Sequence, residues 1–122
     1  MANVVIALTT VNDESKAYEI AQGAVEARLA AAADVEARMT LFHRDKGVLR
    51  HERGYRVFFT TTADAVAGLE AWVHERHPRD VPQWIVLPAA ATSERYLAWA
   101  VEETSAGRQR TPGPVTPQGG TP

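Results

Sequence analysis

Val4 to Thr10 (VVIALTT) is apolar or β-branched at nearly every position, without the polar gaps that a helix stripe or a half-solvated strand leaves. Such a run predicts a central strand covered on one face or joined to a partner. Asn12 or Asp13 follows and can cap a helix, because a short polar side chain accepts from the free N–H groups of a first turn. From there Ala17, Ile20, Ala21, Ala24, Val25 and Leu29 recur every three or four residues as one apolar stripe. The stripe predicts a helix running to about Ala33, and its alanines permit close approach to a sheet.

Two further strand-like stretches, Val35 to Phe42 and Tyr55 to Thr62, are separated by a charged segment holding Gly47 and Gly54, the pattern of a long hairpin. Thr62 or Asp64 can cap a second helix, in which Val66, Leu69 and Val73 form the buried row and Trp72 borders it. That helix must stop at His77-Pro78, since proline disfavours the α conformation of the residue before it. Trp84 to Leu87, between Pro82 and Pro88, suits a short strand near a sheet edge. Thr92 or Ser93 then caps a last helix carrying Tyr96, Leu97, Ala100 and Val101. The order β-α-β-β-α-β with an added C-terminal helix is an α+β, ferredoxin-like split βαβ arrangement, with two helices on one face of an antiparallel sheet. The other face is left bare, which predicts self-association.

Composition narrows this picture. A chain of 122 residues fits a single core. Residues 106–122 hold four of the seven prolines and four of the eight glycines, and little there can offset ordering entropy by burial. The expected division is therefore a folded domain over 1–105 and a disordered tail over 106–122. The absence of cysteine excludes disulfides, thiolate metal sites and cysteine nucleophiles. The N-terminus lacks a basic n-region, and its apolar run is too short for a membrane span, so a cytoplasmic protein without membrane contact is expected. A formal net charge of −2 gives the whole molecule no electrostatic footprint for nucleic acid. Nor does the chain contain a Gly-rich phosphate loop, a nucleophile elbow or a His-Glu-x-x-His helix.

His77-Pro78-Arg79-Asp80-Val81-Pro82, then Trp84-Ile85-Val86-Leu87-Pro88, then Tyr96-Leu97-Ala98-Trp99 resemble, in letters and spacing, the HPYEVPEIIALP…YLAW signature of the CutA divalent-cation-tolerance family. Ala24 to Ala31 (AVEARLAA) is similar to the family's LVEERLAA, and the resemblance covers roughly residues 4 to 105. It implies a tightly packed homotrimer in which the long hairpin of one subunit extends the sheet of the next, with clefts at subunit boundaries. It also implies an association with copper and other divalent metals, and no settled reaction. The chain departs from the family at several points. Ala32 replaces the usual cysteine, Arg79 replaces the tyrosine of HPYEVP, Asp80 stands for its glutamate, and the acidic run of the hairpin is replaced by Arg50-His51-Glu52-Arg53-Gly54-Tyr55-Arg56.

Candidate chemistry rests on four histidines and an arginine-rich hairpin. His74 and His77 are three apart on the second helix and can form a two-imidazole Cu(II) or Zn(II) site with Glu70 or a neighbouring subunit. Alternatively His77 closes the helix end while His74 is solvated. His43 and His51, with Asp45 and Glu52, can face one another across the hairpin, or can belong to a charged, solvated tip. Without thiolates, tight Cu(I) binding is not expected and divalent binding should be weak. Arg44, Lys46, Arg50, Arg53 and Arg56 can fork a phosphate or carboxylate, or can pair with Glu102, Glu103 or Asp80 across a subunit boundary. An intersubunit cleft for a small anionic ligand is assigned to Arg44, Arg50, Tyr55, Arg79, Trp84 and Tyr96. Trp99 is expected to pack at an interface. The principal expectation is a trimeric tolerance or ligand-binding protein. The alternative is the same scaffold acting as an enzyme, with His43, Asp45, His77 and Asp80 as acid/base groups.

Overall fold

In the computed structural model, residues 3–104 are described; the expected tail over 106–122 lies outside them. The elements are β1 (Val4–Val11), α1 (Glu14–Glu26), β2 (Ala32–Asp45), β3 (Val48–Thr62), α2 (Val66–Arg76), β4 (Ile85–Pro88) and α3 (Glu94–Glu103). The strands form one antiparallel sheet in the order β2-β3-β1-β4, which is the expected ferredoxin-like topology.

β1 lies inside the sheet between β3 and β4, and all but Ile6 of its residues are buried. Its continuous apolar run reflects full cover on the helix side, while Ile6, on the other side, is only partly buried. Ala7 and Val11, with Tyr55, Val57 and Phe59 of β3, face the main core, where Ile20, Ala21 and Ala24 of α1 and Leu69 and Val73 of α2 pack against them. Val4 points the other way, into a smaller cluster with Ala31 and Ala100 of α3. α3 thus covers one end of the second face, and Tyr96 Oη reaches Thr60 Oγ1 at 3.5 Å.

Two of the three helix caps follow the sequence, and the Thr62 or Asp64 cap expected for the second helix is not formed. Asp13 Oδ1 accepts from Ser15 N–H at the start of α1, and Ser93 Oγ from Tyr96 N–H at the start of α3. α2 has Ala65 at its N-cap and no side-chain cap. The Thr62 hydroxyl accepts from Ala65 N–H one turn earlier, and the helix ends at His77, before Pro78.

Two boundaries differ from expectation. α1 stops at Glu26, because Arg28 takes the left-handed conformation (φ 63°) and the chain closes with bonds from Arg28 N–H to the Val25 carbonyl and from Leu29 N–H to the Ala24 carbonyl. That double bond pattern is a Schellman ending, usually built on glycine. Arginine sits there because its side chain donates to the last carbonyls of α3, Glu102 and Glu103, and pairs with the Glu103 carboxylate at 3.6 Å. The second difference is the charged segment 43–54, which is paired strand almost throughout, closed by a two-residue turn at Lys46-Gly47 with φ of 53° and 83°. Positive φ at both positions defines a type I′ turn, whose twist matches the strands it joins.

Beyond the Tyr55↔Val11 pair, β2 and β3 run on without a third strand, as a projecting arm. Within β2, Ala37 and Arg38 together face the single Tyr55, a bulge centred on Arg38 at φ 62°. The bulge reverses the pleat. Val35 faces the helix side before it, whereas Thr40 and Phe42 do so after it, opposite Arg53 and His51.

Candidate functional site

The segment between α2 and β4 is held from three directions. Thr9 Oγ1 donates to the Gln83 carbonyl (2.6 Å), so it accepts from His77 Nε2 at 3.0 Å. His77 Nδ1 accepts from Arg79 N–H at 3.2 Å. The bonding pattern assigns His77 as the neutral Nε2–H tautomer with both ring nitrogens engaged. Burial lowers its pKa below the ordinary 6.5; a backbone bond with Thr10 opposes this, and nearby His74 adds to it. On the neighbouring position of β1, Thr10 Oγ1 donates to Gln83 Oε1 at 2.7 Å.

Glu52, on the arm, collects the next set of contacts. Arg79 donates to its carboxylate, His43 Nε2 lies 3.3 Å from the same Oε2, and Asn12 Nδ2 approaches Oε1 at 3.5 Å. One carboxylate therefore ties the arm, the β1–α1 turn and the segment after α2 together. In the sequence Glu52 stands only as a possible partner across the hairpin, because Arg79 and Asn12 reach it through tertiary contacts.

The six residues assigned to an anion-binding cleft fall in different places within one protomer. Arg44 donates to the Gly47 carbonyl and Arg50 pairs with Asp45 at 3.4 Å, both near the arm's tip. Arg79 is bound to Glu52. Trp84 packs on the helix side, its ring centroid 6.1 Å from Phe59 and 5.7 Å from His74, with its buried indole N–H unpartnered among the described residues. Tyr96 lies on the opposite face beside Trp99, at 5.5 Å between ring centroids. Tyr55 is buried and lines a groove of about 550 Å³ on the helix side of the arm, together with Arg38, Arg53 and Glu14.

The acid/base set is likewise dispersed: His43 pairs with Glu52, Asp45 with Arg50 and His77 with Thr9, while Asp80 is exposed. His74 is exposed, with Nδ1 at 3.9 Å from Glu70 Oε2. Among the described residues, no group of three or more His, Asp or Glu side chains gathers to hold a metal ion. With both nitrogens of His77 engaged, the donors of one protomer do not fit a resident divalent-metal centre.

The second face of the sheet carries a different kind of feature. Register aligns Ile85, Leu8, Phe58 and Asp34 in one row, Leu87, Ile6, Thr60 and Ala32 in the next, and Thr10, Arg56 and Glu36 in a third. Ile85 and Leu87 are 43% and 49% exposed, and Arg56 Nε is buried without a hydrogen-bond partner among the described residues.

A four-stranded split βαβ sheet with a projecting hairpin arm and a partly open apolar face defines a ferredoxin-like α+β protein. A family model described as CutA1 divalent ion tolerance protein matches residues 5–103. The divalent-cation tolerance protein CutA of Thermus thermophilus is 33% identical over 99 residues, covering 81% of this chain and 96% of its own. The solved structure of that organism's protein superposes with a TM-score of 0.78 at 35% identity, covering 85% of this chain and 99% of the other. CutA from Synechococcus elongatus gives a TM-score of 0.80 at 32% identity, covering 85% and 92%. The chain belongs to the CutA1 divalent ion tolerance family. No described helix is long and apolar enough to cross a membrane.

Proposed function

We propose that this chain works in the cytoplasm as a non-catalytic homotrimeric divalent-cation tolerance protein that takes small anionic ligands or divalent cations in clefts between subunits. The supporting observation is a surface that one protomer leaves uncovered. Ile85 and Leu87 line an open sheet face, and the two-stranded arm exposes Phe42 (66%) and Leu49 (69%). A two-stranded ribbon is marginal in water by itself, and apolar patches of this kind are covered in the working state. Threefold association in which each arm extends the next subunit's sheet, as family resemblance implies, covers both at once. Cu(II) or Zn(II) binding in this reading is weak and involves exposed pairs such as His74 with Glu70. The domain over 1–105 carries the fold, and 106–122 is dispensable for it.

Light scattering on the purified chain tests the assembly: a mass near three times the 13.3 kDa chain is expected, and a monomer at micromolar concentration overturns it. Deleting residues 106–122 should change neither that mass nor the melting temperature. A drop of several degrees would reassign the tail to the fold.

A further inference from the structure

The groove between the arm and the start of α1 is marked by no motif, yet it holds two guanidinium groups that are uncommitted among the described residues. Among the described residues, Arg28, Arg44, Arg50, Arg76 and Arg79 each bond a carbonyl or a carboxylate. Arg38 and Arg53 have no ion pair or hydrogen bond among the described residues, and both line this groove. They arrive by different routes. Arg53 stands opposite Thr40 on the helix-side face of the arm, whereas Arg38 is the left-handed residue of the β2 bulge. For a residue with a Cβ that conformation is costly, and bulges of this kind re-aim a side chain.

Tyr55 supplies an independent observation. It is only 6% exposed and lines the groove, and its hydroxyl has no hydrogen-bond partner among the described residues. Its ring lies in the core, while its hydroxyl is not among the buried, unpartnered polar atoms and so opens to the groove, where it can donate. Two carboxylates also line the groove. Glu52 is already paired with Arg79 and in contact with His43, which leaves Glu14, the first residue of α1, as the free acidic group. The balance is two guanidiniums and a hydroxyl donor against one carboxylate.

We propose that this groove binds a small phosphomonoester. Arg38 and Arg53 take the phosphoryl oxygens, Tyr55 donates to them, and Glu14 accepts from a hydroxyl or amine elsewhere on the ligand. A phosphomonoester carries a charge of about −1.5 to −2 at neutral pH, which two planar guanidinium forks match in charge and geometry. The proposal deepens the ligand-binding part of the function proposed above, but its groove lies within one protomer and does not require the trimer.

The probe is inorganic phosphate titrated into the full-length chain at constant ionic strength, followed by amide NMR shifts and by the oligomeric mass. Saturable shifts at Thr40, Arg53 and Tyr55 are expected. Arg38→Gln or Arg53→Gln should weaken the affinity about tenfold or more, as the loss of a charge-assisted hydrogen bond does. Tyr55→Phe should weaken it less while keeping the ring in the core, and Arg95→Gln, at an exposed position of α3, should leave it unchanged. Absence of saturable binding, or binding untouched in the Arg38/Arg53 double variant, overturns the proposal. Succinate binding without phosphate binding replaces the phosphoryl assignment with a dicarboxylate and overturns it too. If either arginine variant dissociates the oligomer, these guanidiniums belong to a subunit interface and the site is refuted. A monomer that binds phosphate through them supports the groove and refutes only the trimer.

Discussion

The Thr9 hydroxyl oxygen and His77 Nε2 lie 3.0 Å apart across 68 positions of chain, and this bond fixes the segment that follows α2 onto the central strand. Its Thr9 end is committed by the donation to Gln83 and its His77 end by the bond from Arg79 N–H. The histidine must therefore be neutral: a second ring proton at Nδ1 would face the Arg79 N–H.

A pH dependence of stability follows, with a defined sign. Burial holds the His77 pKa below 6.5 in the folded protein, so on acidification the unfolded chain takes up its proton first. The contribution of neutral His77 is complete above about pH 6.5 and is lost as pH falls towards the lowered folded value. Thermal unfolding at pH 7.5 and 5.5 should show wild type losing more stability than His77→Gln, which keeps a donor for Thr9 and cannot titrate. Equal losses would remove His77 from this role. His77→Ala should cost about 1–3 kcal/mol at pH 7.5, because the Arg79 N–H and the Thr9 oxygen lose their partner.

Glu52 and Arg79 should be coupled energetically. Both side chains are under a third exposed, and the carboxylate is shared with His43. A double-mutant cycle with Glu52→Gln and Arg79→Gln is expected to give a coupling of up to about 1 kcal/mol that shrinks in high salt. Additive effects at low salt would show that the tie between arm and domain is geometric only.

Gly23 sits on α1 where a Cβ would lie 2.6 Å from Trp72 Cη2 and 2.9 Å from Cζ2. The Trp72 ring is held by the Arg76 guanidinium, which stacks over it at 4.0 Å from the ring centroid. Gly23→Ala should therefore destabilise by about 1–3 kcal/mol through overpacking, despite the better helix propensity of alanine. A stabilised Gly23→Ala variant in denaturant titration would contradict the closeness of α1 and α2 at this point.

Metal removal should leave the fold untouched. Since no described cluster of ligands holds a divalent ion, EDTA should not lower the melting temperature, and Cu(II) or Zn(II) should bind weakly in calorimetry. His74→Ala is expected to reduce that weak binding. A chelator-induced fall of several degrees would reveal a structural ion.

What the sequence determined by itself is local. Caps at Asp13 and Ser93, the stop before Pro78, the buried run of β1 and the edge position of β4 are each set by side-chain chemistry within a few residues, and all are read directly from the chain. The same holds for the order of elements, from which the sheet topology follows. Tertiary structure decided where competing local signals were nearly balanced. The alanines after Arg28 favour a helix, yet Ala31 N–H bonds the Thr60 carbonyl and Ala32 and Ala33 pair with β3, because sheet hydrogen bonds outweigh a propensity difference of well under 1 kcal/mol per residue. The charged run 43–54 has no apolar alternation to mark it as a strand, and the partner strand and the Lys46-Gly47 turn supply what the pattern lacks. Arg38 was invisible for a related reason. A bulge adds one residue without altering composition, and that residue reverses which side chains of the arm face the helices, so the groove of Arg38, Arg53 and Tyr55 exists only once register is known.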